Sequence, residues 1–262
     1  MTQLSVNVNK LATLRNSREK NLPNVSLFAQ KILSWGAHGI TVHPRPDGRH
    51  IRRDDVFELA DLVKRWNQSH STPVEFNVEG YPSTDFMTLI QEIRPDQATL
   101  VPDPPEALTS NAGWDLFGRE KELAPILADL KALEVRSSLF FDPADFSPEQ
   151  EESLRRLRPD RIELYTEAFS DAHSGKKHSE VLNRYQNVAE RAHALGIGIN
   201  AGHDLNQSNL GDLVKAIPFL AEVSIGHALI CEALDNGMEN TVKSYLRILG
   251  ESRHDHSQSP RS

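Results

Sequence analysis

The stretch GITVHPRPDGRHI, residues 39–51, sets a pattern that the rest of the chain repeats. It opens with a short run of apolar and β-branched residues, which predicts a strand over 39–42, and it ends in polar and charged residues. An amphipathic helix is predicted to follow over 54–66. Seven further apolar runs have the same form, and most of them lead into a helical pattern. Strands that alternate with helices through short connections are typical of a parallel sheet.

Eight such units predict an α/β fold, a (β/α)8 TIM barrel with a parallel eight-stranded sheet. The predicted strands are 4–8, 39–42, 74–78, 98–101, 137–141, 162–165, 197–201 and 223–225. A doubly wound open sheet is the alternative, because the same alternation fits both. We expect a single barrel domain over residues 1–250, closed by one long helix over 228–249, and a disordered tail over 251–262.

Composition and charge narrow the classes of function. The net charge of −8 argues against nucleic acid as a partner, so phosphate groups would have to be bound by local arginines and backbone N–H groups. The N-terminal sequence lacks an apolar signal region and no run approaches the length of a membrane span, so we expect a cytoplasmic protein without a membrane partner. A single cysteine excludes an intramolecular disulfide and a cysteine-based zinc site.

The C-terminal ends of the strands carry the candidate chemistry, since active sites of such barrels lie on that rim. His43 and Arg45, with Arg49 close behind, indicate an acid–base group beside an anion site, rather than a solvated loop. Glu79 ends an apolar run, where it is either a partly desolvated general base or a solvent-facing cap. Glu163 lies on an apolar strand, as a functional carboxylate or in an ion pair with an arginine.

The last two strand ends indicate a second anion site. NAGHDLN, residues 200–206, places His203 after Gly202, which permits close approach of a ligand to the backbone. In SIGHA, residues 224–228, Gly226 and His227 lead directly into a long helix, whose first N–H groups can bind phosphate. A plain strand-to-helix turn is the alternative there.

Together these segments resemble the pyridoxine 5′-phosphate synthase family of vitamin B6 biosynthesis. The resemblance covers about residues 4–249, and it rests on the order of the motifs, since no single motif is specific enough. The motifs are VNVNKLATLRNSR (6–18), GAHGITVHPRPDGRHI (36–51), VEFNVEG (74–80), LTSNAGWD (108–115), RIELYT (161–166), INAGHDLN (199–206) and SIGHALI (224–230).

The resemblance implies a homo-octamer, a tetramer of dimers, that condenses 1-deoxy-D-xylulose 5-phosphate with 3-amino-2-oxopropyl phosphate. The products would be pyridoxine 5′-phosphate, phosphate and water, made without a cofactor or a metal. By motif match, His43 and Glu79 correspond to proton acceptors, His203 to the proton donor and Glu163 to the stabiliser of the transition state. The implied substrate ligands are Arg45, His50 and Thr109 for the deoxyxylulose phosphate, and Asn7, Arg18, Asp204, Gly226 and His227 for the amino ketone phosphate.

The chain departs from the family pattern at three of these positions. Asn9 and Lys10 stand where many members have Asp-His, a pair that contacts the deoxyxylulose phosphate, and Asp204 stands where Gly is common. Lys10 keeps a donor and a full positive charge, whereas the carboxylate of Asp204 would repel phosphate unless it turns away. We expect these changes to mark a subfamily, because the set of His43, Glu79 and His203 is intact.

Two other functions fit the sequence. One is another phosphosugar barrel enzyme, such as an isomerase or aldolase, although a Schiff-base aldolase needs a buried strand lysine and only Lys10, just after the first strand, comes near one. The other is a catalytically silent barrel that binds a phosphorylated metabolite or a partner protein. Substrate affinity without turnover would favour the silent barrel.

Overall fold

The computed structural model describes residues 1–18, 20–102 and 112–251, and its eight strands form one closed parallel barrel. Each strand pairs with the next along the chain, and β8 returns to pair with β1. The (β/α)8 prediction is therefore confirmed, and the open-sheet alternative is wrong. The predicted tail lies outside the described residues, except for Glu251. The strands are β1 (Gln3–Asn7), β2 (Gly39–Val42), β3 (Glu75–Gly80), β4 (Gln97–Leu100), β5 (Arg136–Phe141), β6 (Arg161–Tyr165), β7 (Gly198–His203) and β8 (Glu222–Ile225).

The helices cover the outside of the barrel, and among the described residues none is long and apolar enough to cross a membrane. They are α1 (Asn9–Asn16), α2 (Val25–Ser34), α3 (Arg53–Ser69), α4 (Thr84–Ile93), α5 (Leu116–Ala132), α6 (Pro148–Leu157), α7 (Glu167–Ala172), α8 (His178–Ala194), α9 (Leu210–Ala216), α10 (His227–Asn236) and α11 (Met238–Glu251). The single helix predicted over 228–249 is wrong. Gly237 adopts a φ of 77°, which favours glycine, and separates α10 from α11.

The two faces of the strands differ in polarity. The outward side chains, such as Val6, Ile40 and Leu164, are fully buried against the helices and form the main apolar core. The inward side chains are largely polar, whereas such barrels are usually filled by Val, Ile and Leu. Ser5 and Thr41 share a hydrogen bond of 2.6 Å between their hydroxyls on neighbouring strands. The barrel interior therefore carries a hydrogen-bonded network beneath the rim.

Ion pairs lie at the N-terminal end of the barrel. Arg136 pairs with Glu75, and Nη1 of Arg161 donates to Oε2 of Glu222 at 3.3 Å. Burial raises the pKa of Glu222 to about 7, although Arg161 opposes that rise. These charges occupy one end of the interior, and the other end opens at the C-terminal ends of the strands.

Candidate active site

A cavity of about 500 Å³ opens at the C-terminal ends of the strands. It brings together residues up to 220 positions apart, from Asn7 on β1 to His227 on α10. The cavity is lined by Asn7, Asn9, Lys10, Thr13, His43, Arg45, Arg49, His50, Glu79, Tyr165, Glu167, His203, Asp204, Ser224, Gly226 and His227. Most of the residues predicted for the site therefore share one pocket. Arg18 is exposed beyond the end of α1 and does not line it, Glu163 is buried and does not line it either, and Thr109 lies outside the described residues.

The first acid–base pair comes from neighbouring strands. His43 follows β2 and Glu79 lies on β3, and Nδ1 of His43 is 3.8 Å from Oε2 of Glu79. Glu79 is only 4% exposed, so the solvent-facing alternative is wrong. Burial, followed by repulsion from Glu222, raises the pKa of Glu79 to about 8. Burial and then Arg45 hold the pKa of His43 well below its usual range, so its imidazole is neutral and able to accept a proton.

Two asparagines at the start of the chain hold this pair. Nδ2 of Asn7 donates to Oε2 of Glu79 at 3.4 Å, and Oδ1 of Asn7 accepts from the backbone N–H of Asn9 at 3.0 Å. Oδ1 of Asn9 then accepts from the backbone N–H of His43 at 2.9 Å. Asn9 is therefore joined to the backbone at His43 through an oxygen atom that aspartate would also supply.

The second pair faces the first across the cavity. Oε1 of Glu163, on β6, lies 3.9 Å from Nδ1 of His203, at the end of β7. Glu163 is 1% exposed, and neither of its carboxylate oxygens makes a hydrogen bond within the described residues. The predicted alternative, an ion pair between Glu163 and an arginine, is therefore wrong. Burial, followed by repulsion from Glu79 and Glu222, raises the pKa of Glu163 well above its usual range, so this carboxyl group is neutral.

His203 is held by aromatic rings and by its backbone. Its ring lies 4.6 Å from the ring of Phe140 and 5.5 Å from that of Tyr165, measured between centroids. Its φ of 82° is a conformation that side chains other than glycine rarely adopt, and such strain is found at functional sites. Burial and then Arg45 lower the pKa of His203 to about 4, which favours the neutral imidazole.

The residue before His203 must be small. A Cβ atom added to Gly202 would collide with Oε1 of Glu163. We expect Gly202→Ala to displace that carboxyl group and to lower kcat about tenfold, because small shifts of a reacting group cost much of the rate. Gly250→Ala on α11 is the matched control, since no atom lies within 4 Å of the added carbon there. Steady-state kinetics of both variants check this, and an unchanged kcat for Gly202→Ala would contradict it.

A basic group of side chains forms one wall of the cavity. Arg45 is buried and Lys10, Arg49 and His50 lie beside it. Burial, then Arg45 and Lys10, lower the pKa of His50 to about 4. A concentration of positive charge in an acidic protein is suited to a phosphate group, and the arginine can bind it through two hydrogen bonds.

A second wall is formed by the N-terminus of a helix. Gly226 precedes α10 and His227 begins it, so the unpaired N–H groups of the first turn lie at the cavity. A Cβ atom on Gly226 would lie 3.0 Å from Cβ of Asn7, so a larger residue would require Asn7 to shift. Asp204 also lines this wall, and burial, then Glu167, raise its pKa.

The family model described as "Pyridoxal phosphate biosynthesis protein PdxJ" matches residues 4–251. The chain belongs to the PdxJ family. Two curated relatives, both named pyridoxine 5′-phosphate synthase, show how close it is. The protein of Cytophaga hutchinsonii is 47% identical over 250 residues, which is 95% of this chain and 99% of the relative. That of Bacteroides fragilis is 46% identical over 249 residues, which is 95% of this chain and 100% of the relative.

Solved structures outside the PdxJ family share the barrel. The tryptophan synthase subunit alpha of Legionella pneumophila superposes with a TM-score of 0.62 at 16% identity, over 95% of this chain and 93% of that one. A structure titled "Native KDPGal structure" gives a TM-score of 0.58 at 7% identity, over 95% of both chains. At these identities the likeness shows the fold alone.

Four residues of the PdxJ site were missed in the sequence: Thr13, Tyr165, Glu167 and Ser224. The phenol of Tyr165 donates to Oε2 of Glu167 at 2.7 Å, which fixes both at the edge of the cavity. The signal for Tyr165 was present, because it lies two positions after Glu163 on one strand and so shares its inward face. Ser224 could have been found by the same period of two, because it lies two positions before Gly226. Nothing in the sequence marked Glu167, which begins α7.

Proposed function

We propose that this PdxJ protein is a pyridoxine 5′-phosphate synthase of vitamin B6 biosynthesis. The reaction is the condensation of 1-deoxy-D-xylulose 5-phosphate with 3-amino-2-oxopropyl phosphate, which yields pyridoxine 5′-phosphate, phosphate and water. One observation carries the proposal: His43, Glu79 and His203 line a single cavity, and the buried Glu163 lies 3.9 Å from His203, in a chain whose curated relatives bear that enzyme name. On the same resemblance we extend the proposal to a cytoplasmic homo-octamer, a tetramer of dimers.

We assign one of the two substrate phosphates to each of these two walls. Arg45, His50 and Lys10 bind the phosphate of the deoxyxylulose, with Thr109 completing that set. The first turn of α10, with Gly226 and His227, binds the phosphate of the amino ketone. On the family resemblance, Asn7, Arg18 and Asp204 belong to the second set, although Arg18 does not line the cavity, and the carboxylate of Asp204 must turn away from the phosphate. Two separate anion sites hold the reacting carbons in between, which lowers the entropic cost of joining them.

The chemistry needs repeated proton transfer and no other group. The amine of the substrate itself forms the imine with the ketone of the deoxyxylulose, so no lysine is required. Neutral His43 takes protons from carbon and from water. Glu79 does so in its ionised form, which becomes populated as the pH approaches its pKa of about 8. Neutral Glu163 donates a hydrogen bond to the charge that develops in the transition state. His203 protonates the leaving oxygen.

His203 must gain its proton when substrate binds, because a pKa of about 4 keeps the free protein's imidazole neutral. Two phosphate dianions near the ring would favour the imidazolium form and raise the pKa of His203. We expect saturating inorganic phosphate to raise the pKa of His203 and of His50 by about one unit or more. Imidazole NMR titrations of the 15N-labelled protein with and without phosphate measure both values. Unchanged pKa values for both histidines with bound phosphate would contradict this role.

The proposal is tested by mixing the purified protein with both substrates in metal-free buffer. We expect pyridoxine 5′-phosphate and phosphate to appear in equal amounts, which would also show that Lys10 and Asp204 are tolerated. If both substrates bind and no product forms, the protein is a silent barrel. Sedimentation analysis of the same sample tests the octamer.

A further inference from the structure

Three side chains of types that can bind a metal ion lie close together outside the cavity, where the connection between α7 and α8 meets α9. His173 follows α7, His178 begins α8, and Asp212 lies in the first turn of α9. One nitrogen or oxygen atom from each of these three residues lies within 4.8 Å of the other two. The reaction proposed above uses none of them.

The local backbone brings the two histidines together. The N–H of His173 donates to the carbonyl of Ser170, and the N–H of His178 donates to the carbonyl of Gly175, both at 3.2 Å. These turns place the imidazole centroids 5.0 Å apart, and the ring of Phe169 packs against both. Four residues separate the two histidines, and structural zinc sites commonly use a spacing of about three to five.

The imidazoles have hydrogen-bonding atoms without partners. Nδ1 of His173 and Nδ1 of His178 are both buried, and neither makes a hydrogen bond within the described residues. Such atoms are costly, and an ion bound between His173 and Asp212 would satisfy Nδ1 of His173, the ring nitrogen that faces Asp212. Oδ2 of Asp212 lies 3.7 Å from Nδ1 of His173 and 3.4 Å from Nε2 of His178. Ligand atoms at the corners of a tetrahedral zinc site lie about 3.3 Å apart, so these two distances need little adjustment.

We propose that His173, His178 and Asp212 bind one divalent transition-metal ion of the zinc type. Two imidazoles and one carboxylate suit zinc, whereas magnesium and calcium prefer oxygen ligands alone. The side chain of Asp212 is 46% exposed, which gives the ion a path of entry and leaves room for water as the remaining ligand.

The ion would have a structural role. It joins the connection after α7 to α9, next to an existing link in which Nδ2 of Asn209 donates to the hydroxyl of Ser170 at 3.2 Å. The helix α7 begins with Glu167, which lines the active-site cavity. The ion therefore stabilises one edge of the cavity without contact with the reacting atoms, and the enzyme is active without it.

The experiment titrates the metal-free full-length chain with Co²⁺ and follows visible d–d absorption. We expect one tetrahedral site per chain, displacement of the cobalt by Zn²⁺, and a higher thermal midpoint with either ion. Asp212→Asn, which keeps the size of the side chain, and His178→Ala should each weaken binding by about 100-fold or more. His193→Ala is the control, because that exposed imidazole stacks on Phe219 elsewhere on α8 and should leave binding unchanged.

The tail offers a competing source of imidazoles, since it contains His254 and His256. The double variant His254→Ala/His256→Ala should bind cobalt as the natural chain does. Loss of binding in that variant, with full binding in Asp212→Asn, would overturn the proposal. Absence of any cobalt absorption or thermal shift in the natural chain would overturn it as well. Turnover should persist in a chelator, and a strict need for metal would exclude the structural role.

Discussion

The Glu79→Gln variant should lose formation of pyridoxine 5′-phosphate by roughly 10²–10⁴-fold, the usual contribution of a general base. Glutamine keeps the shape of the side chain and can still accept from Nδ2 of Asn7, but it cannot take up a proton. Paired measurement of product and released phosphate checks the loss. Turnover near that of the natural chain would remove Glu79 from the mechanism.

The stability of the same variant gives an independent test. The folded-state pKa of Glu79 is about 8, above its ordinary value of 4.5, so its contribution to stability is present at low pH and is lost as the pH rises from about 4.5 to 8. A glutamine does not ionise and should not lose this contribution. We expect the thermal midpoint of the variant, minus that of the natural chain, to increase as the pH rises through this range. The exposed Glu180→Gln on α8 is the control, and it should show no such trend.

The His203→Ala variant should lose turnover by a similar factor, roughly 10²–10⁴-fold, because the leaving oxygen has no other donor in the proposed mechanism. The alanine leaves an imidazole-sized space between Phe140 and Tyr165. Imidazole added to the buffer should enter that space and restore part of the rate. Rescue of this kind distinguishes a missing proton donor from a distorted site.

Two further measurements complete the test of His203. His193→Ala removes an exposed imidazole from α8 and should leave turnover unchanged. Circular dichroism and the thermal midpoint of His203→Ala should show a folded barrel, since 27% of the replaced side chain is exposed. Near-normal turnover in His203→Ala would contradict the mechanism.

Much of the fold could be predicted from local patterns. The strand over 39–42 was predicted to the residue, because a short apolar and β-branched run marks its limits. Eight strand–helix units favoured the barrel, but the local patterns left the open sheet as an alternative, since the pairing of β8 with β1 joins distant segments. The break after Asn236 was missed because the apolar spacing continues through it, although Gly237 is a residue type common just after a helix.

The site shows the same limit. The rim residues could be named because each ends an apolar run, yet their pairing depends on the register of neighbouring strands. Glu163 faces His203 only because β6 and β7 align Glu163 with Asn200 and Tyr165 with Gly202. The raised pKa of Glu79 depends in part on Glu222, which the sequence places far away. Interactions between side chains inside the barrel therefore depend on how the strands pair, which a single stretch of sequence does not reveal.

The polar groups proposed to move protons and those proposed to hold phosphate occupy different kinds of position. Glu79, Glu163 and His203 lie on strands, and His43 follows one directly, so the barrel backbone fixes their spacing. Lys10 and Asp204, which depart from the family pattern, lie on a helix and on a connection. Substitutions at such places can accumulate by neutral drift or selection while the reactive geometry is inherited unchanged. A lineage could acquire a preference for a different phosphorylated ketone in this way, and laboratory evolution of specificity should begin at the same positions.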